Sequence, residues 1–419
     1  MVCIAAAMAS AGLSELPAAD LNGLKALLWT DGEGGPLNHA LEAGIEEFTE
    51  AYPDAGAVAL EWVSPESAEA RLDLLMAAGD PPDVFMTDTV NLPRRVAVGQ
   101  VEPLHIALDG KPGLQSRLPR PLLDLLSAGG KTYAVPITQA AAIFYYNTGM
   151  FAARGLAIPT TYTELKRAIR VFSDNGVTPI AFANKEGWEG VLLWQLVHER
   201  LAGDDGLQDA LSGRPPLSSS SFLESGAVLS ELVGLRAFPA GFAELTNDQA
   251  IRLFRDGKAA MLISRDRLYA SLDFSASSVK KKVGLAPFPL FEGGAGNIGS
   301  WIGKPEFNLA ISSASRRKDT AISFITTYLG VDLQEHFAAH VFLPAALPGL
   351  APDKLVPLQK NALDLLHTAS KFLVPLHEVL DGDQLTHFAD AIRSILLGAS
   401  RNEPQPRDTE APSFGWTKS

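Results

Sequence analysis

Ten side chains of this 419-residue chain combine flat aromatic faces with groups able to bond adjacent hydroxyls: Trp29, Asp31, Asp88, Gln139, Tyr145, Asn147, Trp188, Arg265, Asp266 and Trp301. An indole or phenol face packs on the C–H patch of a pyranose, while Asp, Asn, Gln and Arg supply paired donors or acceptors. Such a set suits a sugar held in a concave site with an apolar wall and a few oriented polar groups. Trp188 is the most telling member. In "NKEGWEGVLLWQ" it stands among Lys185, Glu186, Gly187, Glu189 and Gly190, a polar turn with little to bury an indole, whereas Trp194 lies in an apolar run and reads as core. Other members have plainer readings. Trp29 suits a core, Asp88 a helix cap, and Arg265 and Asp266 can pair with each other. Tyr145 and Tyr146 alternate along a strand, which buries one of them.

Signatures of covalent chemistry are absent. There is no G-x-S-x-G elbow, no G-x-x-x-x-G-K-[ST] phosphate loop and no H-E-x-x-H. "GGAGNIG" carries G-x-G-x-x-G at Gly294, Gly296 and Gly299. A dinucleotide cradle needs that motif between a strand and a helix; here prolines interrupt both sides, and a flexible loop is expected. The histidines are scattered. His336 and His340 share a helix face at i, i+4 but lack a third ligand, so surface or core polarity is the simpler reading. No cofactor and no metal site are expected, and the chain reads as a non-enzyme. Among 48 acidic residues a chance carboxylate pair is always available, so a glycoside-acting enzyme stays open as an alternative. So does a binder of phosphorylated or charged metabolites.

Composition narrows the field further. A chain of this length exceeds one hydrophobic core and implies two domains. The net charge of −13 argues against nucleic-acid partners, and Lys280-Lys281-Lys282 reads as a solvated loop. The single cysteine, Cys3, allows no internal disulfide. No apolar run reaches the roughly 18 to 20 residues of a membrane-spanning helix. "MVCIAAAMASAG" has the small-residue triplets of a signal end without its basic start. A trimmed signal, a lipid-anchored Cys3 and a flexible leader all remain open there.

The elements that would position these groups alternate. "LKALLWT" reads as a buried strand, followed by a helix with Leu37, Leu41, Ile45, Phe48 and Tyr52 on one face and Pro53 at its end. "AVALEWV" is a second strand. Ser64-Pro65 opens a second helix, and "DVFMTD" is a third strand that delivers Asp88. This β-α-β-α-β order implies a parallel sheet flanked by helices. The grammar returns in the second half: a capping box at Thr161 to Glu164, a helix burying Leu165, Ile169 and Phe172, then the strands "TPIAFAN" and "AAMLIS". Ligand groups of such sheets gather at carboxyl strand ends, where Trp29, Asp88, Trp188 and Arg265 fall.

Several stretches carry a family resemblance. "AAGDPPDVFMTD" is similar to A-x-G-x-x-P-D-V, "GVTPIAFANKEGW" to G-x-x-P-I followed by Gly-Trp, "LFRDGKAAMLIS" to F-x-x-G-K-A-A-M, and "GLAPFPLFEGG" to a P-F-P loop. "YYNTGMFAARGLAIPTTYTELKRA" matches a tyrosine-asparagine pair, a short helix and G-L-x-x-P-x-T-[WY]-x-E-[LF]. In this order, from about residue 24 to 400, the chain resembles extracellular solute-binding proteins of carbohydrate ABC transporters, the type that includes maltose-binding proteins. The resemblance implies the two-lobed periplasmic-binding-protein α/β fold, each lobe a mainly parallel sheet with helices, and sugar in the cleft between lobes. It implies crossovers near Gln139, Phe307 and Leu347. A leader would span 1–20, one lobe 21–139 with 307–346, the other 140–306 with 347–400, and a mobile tail 401–419. It supports Asp88, Asn147, Trp188 and the Arg265-Asp266 position as cleft contacts. Many relatives carry tryptophan where this chain has Arg265-Asp266, which suggests a smaller or partly anionic sugar. The expected setting is periplasmic or at the cell surface, as a monomer that closes about its hinge on a mono- or oligosaccharide and delivers it to membrane permease subunits.

Overall fold

In the computed structural model the described residues are 23–104, 117–212, 219–265, 277–340, 342–346 and 349–398. The leader, the tail, Asp266 and Leu347 lie outside them.

The uninterrupted apolar sequence of β1 (Leu24–Trp29) follows from its place at the centre of a parallel trio. It lies between β2 (Val58–Val63) and β3 (Val84–Thr87) and runs with both. The helix Pro36–Ala51 buries Leu37, Leu41 and Phe48 against this lobe, the stripe its spacing implies. The helix Pro65–Ala77 buries only Ala68 and Leu72, as its mixed face allows. After a short hairpin of β4 (Ser127–Ala128) and β5 (Lys131–Thr132), the fully buried β6 (Ala134–Ala141) joins the same sheet.

One residue, Ala142, separates β6 from β7 (Ile143–Asn147), which belongs to a second sheet. That sheet adds β8 (Thr178–Ala181), β9 (Ala259–Ser264) and β10 (Val283–Ala286) in the order β10-β7-β9-β8. The helix Tyr162–Asp174 opens with the expected Thr161–Glu164 capping box and buries Leu165, Ile169 and Phe172. With Trp194 and Phe222 these form the second lobe's core.

The chain then returns through β11 (Ser300–Ile311). Its last residues pair with β3, its middle with β6, and its first three with β13 (Lys371–Leu373). β12 (Leu343–Pro344) closes the outer edge against β6. The first sheet thus reads β12-β6-β11-β3-β1-β2, with β13 beside β11. Parallel pairs hold β1, β2 and β3 together and join β8 to β9. β13 also runs parallel to β11, whereas β7 is antiparallel to both β9 and β10, and β11 is antiparallel to both β3 and β6.

The molecule is therefore a two-lobed α/β protein. Its register orients the lobes' functional ends. Ile143 lies opposite Ser264, and the Ala142 N–H donates to Ile302 O at 2.8 Å. The carboxyl ends of β8 and β9 therefore face the stretch of β6 and β11 that extends past the ends of β1 and β3.

Two expectations need correction. Prolines were expected to interrupt "SWIGKPEF", yet β11 runs through Pro305, which stands opposite Gln139. A strand tolerates proline where the ladder asks nothing of that nitrogen. The "GGAGNIG" segment is a loop, but not a loose one. Ala295 N–H donates to Leu201 O at 2.9 Å, and Gly296 N–H to Arg200 O at 3.3 Å. A Cβ on Gly294 would lie 2.3 Å from Arg200 O, and one on Gly296 would lie 2.4 Å from Glu199 O. These glycines serve a backbone-to-backbone contact. The buried Arg200 guanidinium secures it, donating to the carbonyls of Phe288, Asn297 and Ser300.

Candidate functional site

At the lobe junction β9 ends in Arg265, whose guanidinium makes two contacts with the helix Leu376–Val379. Its Nη2 lies 2.7 Å from Glu378 Oε1, and its Nη1 lies 3.1 Å from His377 Nε2. Lys304 of β11 reaches the other Glu378 oxygen. Burial alone would raise the Glu378 carboxyl, but the Arg265 and Lys304 charges outweigh it and hold it below the usual carboxylate range. Arginine can only donate, so His377 Nε2 accepts and the ring proton sits on Nδ1. Burial, followed by the Arg265 charge, pushes this imidazole down to about 4. At neutral pH it is an uncharged ring with a fixed tautomer. The Trp188 ring lies 5.2 Å from it, tilted by 40°.

Trp188 is the first residue of a helix that runs to a kink at Gly203, so the glycine-flanked turn is a helix entry. The Asn184 side chain accepts from the Gly190 N–H at 2.8 Å and braces that entry. A Cβ on Gly190 would collide with the Asn184 amide, which explains the glycine. Trp194, one and a half turns on, is core.

On the first lobe, Trp29 ends β1 and packs edge-on to Phe307 at 6.4 Å. The Asp31 carboxylate accepts from Leu37 N–H at 3.0 Å and Asn38 N–H at 3.3 Å, capping the helix Pro36–Ala51. Asp88 accepts from Val90 and Asn91 N–H at 2.8 and 2.7 Å, an arrangement that fixes the loop after β3. Gln139 donates from Nε2 to Pro344 O at 2.9 Å. Trp301 is buried on β11 opposite Phe372.

Trp29, Asp31, Asp88, Gln139, Trp188, Arg265 and Trp301 thus belong to the facing strand ends and the strands that join them. Tyr145 and Asn147 do not. Tyr145 is wholly buried in mid-β7, leaving Tyr146 as the partly exposed member of the pair. Asn147 stands at the far end of β7, four residues from the Ile143–Ser264 pairing and so roughly 13 Å from it at strand rise. Its side chain accepts from Met150 N–H and caps the next helix.

Several residues near the junction were not read from the sequence as site residues, and Phe307 was read only as a crossover. In the otherwise buried β11, Lys304, Glu306 and Phe307 alone are partly open. Lys304 and Glu306 alternate in register, a period-two signal that Pro305 obscured. Phe307 adopts φ 50°, unusual for a non-glycine residue. His377 and Glu378 gave no signal, since long-range pairing brings them in.

Eight buried polar atoms at these strand ends and junction segments meet no hydrogen-bond partner among the described residues: Trp29 Nε1, Thr87 Oγ1, Thr89 Oγ1, Gln139 Oε1, Arg265 Nε, Trp301 Nε1, Asn308 Oδ1 and His377 Nδ1. Buried polar atoms are ordinarily satisfied. The collection mixes donors, acceptors and hydroxyls, which matches a ligand that both gives and takes hydrogen bonds. Among the described residues no group of three or more His, Cys, Asp or Glu could hold a metal ion, and no helix is long and apolar enough to cross a membrane.

The profile of the bacterial extracellular solute-binding protein family matches residues 34–335. A mannitol-binding protein of Pseudomonas aeruginosa is 29% identical over 293 residues, 67% of this chain and 63% of that protein. The chain thus covers less than two thirds of that relative's own length. A solved structure from work on xylan utilization by the thermophilic bacterium Caldanaerobius polysaccharolyticus is 27% identical, with a TM-score of 0.69 over 90% of this chain and 96% of that one. A bacterial solute receptor described with an exclusive preference for β-D-galactopyranose shares 14% identity and a TM-score of 0.78, over 90% and 95% of the two chains.

Proposed function

Because the chain belongs to the bacterial extracellular solute-binding proteins, a family of non-enzymatic receptors that act outside the cytoplasm, we propose that it captures a small polyhydroxylated solute between its lobes. The observation that carries this reading is the set of unpartnered buried donors and acceptors at the facing strand ends, with Trp188 and His377 beside them. A mono- or oligosaccharide, or a sugar alcohol, supplies vicinal hydroxyls to both kinds of group. Sugar alcohols enter because one relative binds mannitol. Arg265 and Lys304 share the single Glu378 carboxylate, which leaves one net positive charge there, so an anionic sugar or metabolite is the second reading the test must cover.

In this reading Trp188 stacks on the ligand's C–H face, Arg265 Nε and His377 Nδ1 donate, and Gln139 Oε1 and Asn308 Oδ1 accept. Trp29, Trp301, Asp31 and Asp88 line or shape the first lobe's side and the junction. Asn147 and Tyr145, being remote or buried, act through the fold of the second lobe. The crossover at Ala142 and the left-handed Phe307 are the points about which the lobes rotate. A ligand touching both lobes favours the closed state by its differential affinity for it. The closed protein then hands its cargo to a membrane permease, held near the membrane by a lipid on Cys3 or free in the periplasm.

A thermal-shift screen over sugars, sugar alcohols and anionic sugars tests the reading. A true ligand at a hundred times its Kd adds about 2.7 kcal/mol of stability. Chromatography of the incubated ligand should return it unchanged; hydrolysis products would replace the receptor reading with an enzymatic one.

A further inference from the structure

The Lys280-Lys281-Lys282 run does not stand alone at its end of the second lobe. The register of the second sheet puts the starts of β8, β9 and β10 and the end of β7 along one edge: Thr178 lies opposite Ala259, Tyr146 opposite Met261, and Asn147 opposite Val283. That edge is the pole away from the lobe junction. Lys282 immediately precedes β10 and Lys258 immediately precedes β9. Arg252 and Arg255 occupy the last turn of the helix Asn247–Arg255, which leads into β9. We propose that these six cations form a docking surface for anionic phospholipid headgroups, which holds the protein to a membrane surface by the pole of its second lobe.

Backbone contacts fix the cationic stretches side by side. Ser278 N–H donates to Arg255 O at 3.0 Å, and Thr148 N–H, just past β7, donates to Lys282 O at 2.8 Å. Ser277 and Val279 are buried, whereas Lys280, Lys281 and Lys282 are exposed, as are Arg252 and Lys258. Lys281 adopts φ 58°, a left-handed conformation that glycine takes without strain and lysine does not. Its charge is kept there at a conformational cost. Arg252 and Arg255 also complement the carboxyl end of their helix, but the four lysines lie beyond it. The only carboxylate within residues 252–258 and 277–282 is Asp256, 3.7 Å from Lys258. Among the described residues the other five cations form no ion pair. In a chain of net charge −13 this is a local concentration of the opposite sign, and it repels itself until an anionic surface neutralises it.

The form of the patch selects the partner. Its cations spread from β10 across β7 to β9, roughly 10 Å at ordinary strand spacing, and on to the neighbouring helix. Exposed and spread in this way, they suit a plane of many phosphates rather than one enclosed anion. Phe254, the one aromatic residue within these stretches, is buried, so nothing is offered for bases to stack on. The family works outside the cytoplasm, where a bilayer with anionic lipid is such a plane. Each Lys or Arg near an anionic bilayer strengthens binding roughly fivefold. Contact at this pole leaves the lobe junction uncovered.

The test floats the full-length chain on vesicles of phosphatidylcholine with about one third phosphatidylglycerol, and on phosphatidylcholine alone. Cys3→Ser serves as the parent background, since a lipid on Cys3 would itself insert. The protein should bind the anionic vesicles and not the neutral ones at about 50 mM salt, and about 500 mM salt should abolish that binding. Replacing the run together, Lys280→Gln, Lys281→Gln and Lys282→Gln, should weaken partitioning by roughly 100-fold. These side chains are exposed, so the variant should fold as the parent does, checked by thermal unfolding. A control variant with the same charge change on the first lobe, Lys25→Gln, Lys131→Gln and Lys354→Gln, should bind as the parent does. Absence of binding to anionic vesicles, equal binding to neutral ones, or equal loss in the two triple variants overturns the proposal. Retention on heparin without vesicle binding would assign the pole to a soluble polyanion and overturn the lipid partner. Ligand capture is a separate readout: a failed sugar screen leaves this surface standing.

Discussion

Arg265 Nη2 lies 2.7 Å from Glu378 Oε1, and Lys304 closes on the same carboxylate from a different strand. The three residues tie the end of β9, the crossing strand β11 and the short helix Leu376–Val379 into one charged knot beside Trp188. All three are largely buried, at 13%, 15% and 21% exposure for Arg265, Lys304 and Glu378. Glu378→Gln should therefore leave two mostly buried cations without their counter-charge. Breaking such a group by removing one partner costs about 3 kcal/mol or more. Urea unfolding at pH 7 should show that loss, and a change under about 0.5 kcal/mol, the range of ordinary surface substitutions, would mean water already screens the knot.

The neighbouring His377 gives the knot a pH dependence of its own. Its folded value of about 4 lies below the unfolded histidine range, so between about pH 6.5 and 4 the unfolded chain binds the extra proton. Stability contributed by the neutral buried ring is thus present above pH 6.5 and is lost as pH falls through that window, by on the order of 3 kcal/mol in all. Glu378, whose folded value is depressed, adds a loss only at lower pH, as pH falls below the ordinary carboxylate value. His377→Gln should flatten the slope between pH 6.5 and 4.5 while leaving the acid limb. Parallel slopes for parent and variant would remove His377 from the account.

Trp188→Ala should weaken sugar or sugar-alcohol binding by about 1 to 3 kcal/mol, taking base-on-aromatic stacking as the analogue. Because Trp188 also packs on the second lobe's core, Trp188→Phe separates the two roles. It keeps an apolar ring in place and should recover stability before it recovers affinity. Equal affinity in Trp188→Ala and the parent would take Trp188 out of the site.

How much of this was legible in the chain follows the range of the interactions. β1, the helix Pro36–Ala51 and the Thr161–Glu164 box are local, so period and capping residues announced them. Trp188 stood out because a polar, glycine-flanked turn gives an indole little local use; the structure sets it at a helix entry against His377 and partly on the second lobe's core. Asn147 was misleading for a physical reason. A residue after a strand was read as lying at a ligand-facing end, but β7 runs antiparallel to β9, so its carboxyl end points away from the junction. Strand direction is a property of the whole sheet. His377 and Glu378 likewise acquire meaning only from partners far off in sequence.

The glycine loop supplies a last test of how the junction is held. Gly296→Ala would place a methyl 2.4 Å from Glu199 O and 2.5 Å from the Arg200 Cα, backbone contacts that cannot turn aside. Overpacking of this kind costs about 1 to 3 kcal/mol. Arg200→Met attacks the same joint from the other side. It leaves the Phe288, Asn297 and Ser300 carbonyls without their donor and the buried Glu199 without its neighbouring cation. The loop leads directly into Ser300 and Trp301 of β11, so both variants should lower ligand affinity as well as stability, although neither residue is among the proposed ligand contacts. Calorimetry with the screened ligand and urea unfolding on the same samples check the pair. A loss of stability with affinity preserved would show that β11 holds its place without the loop.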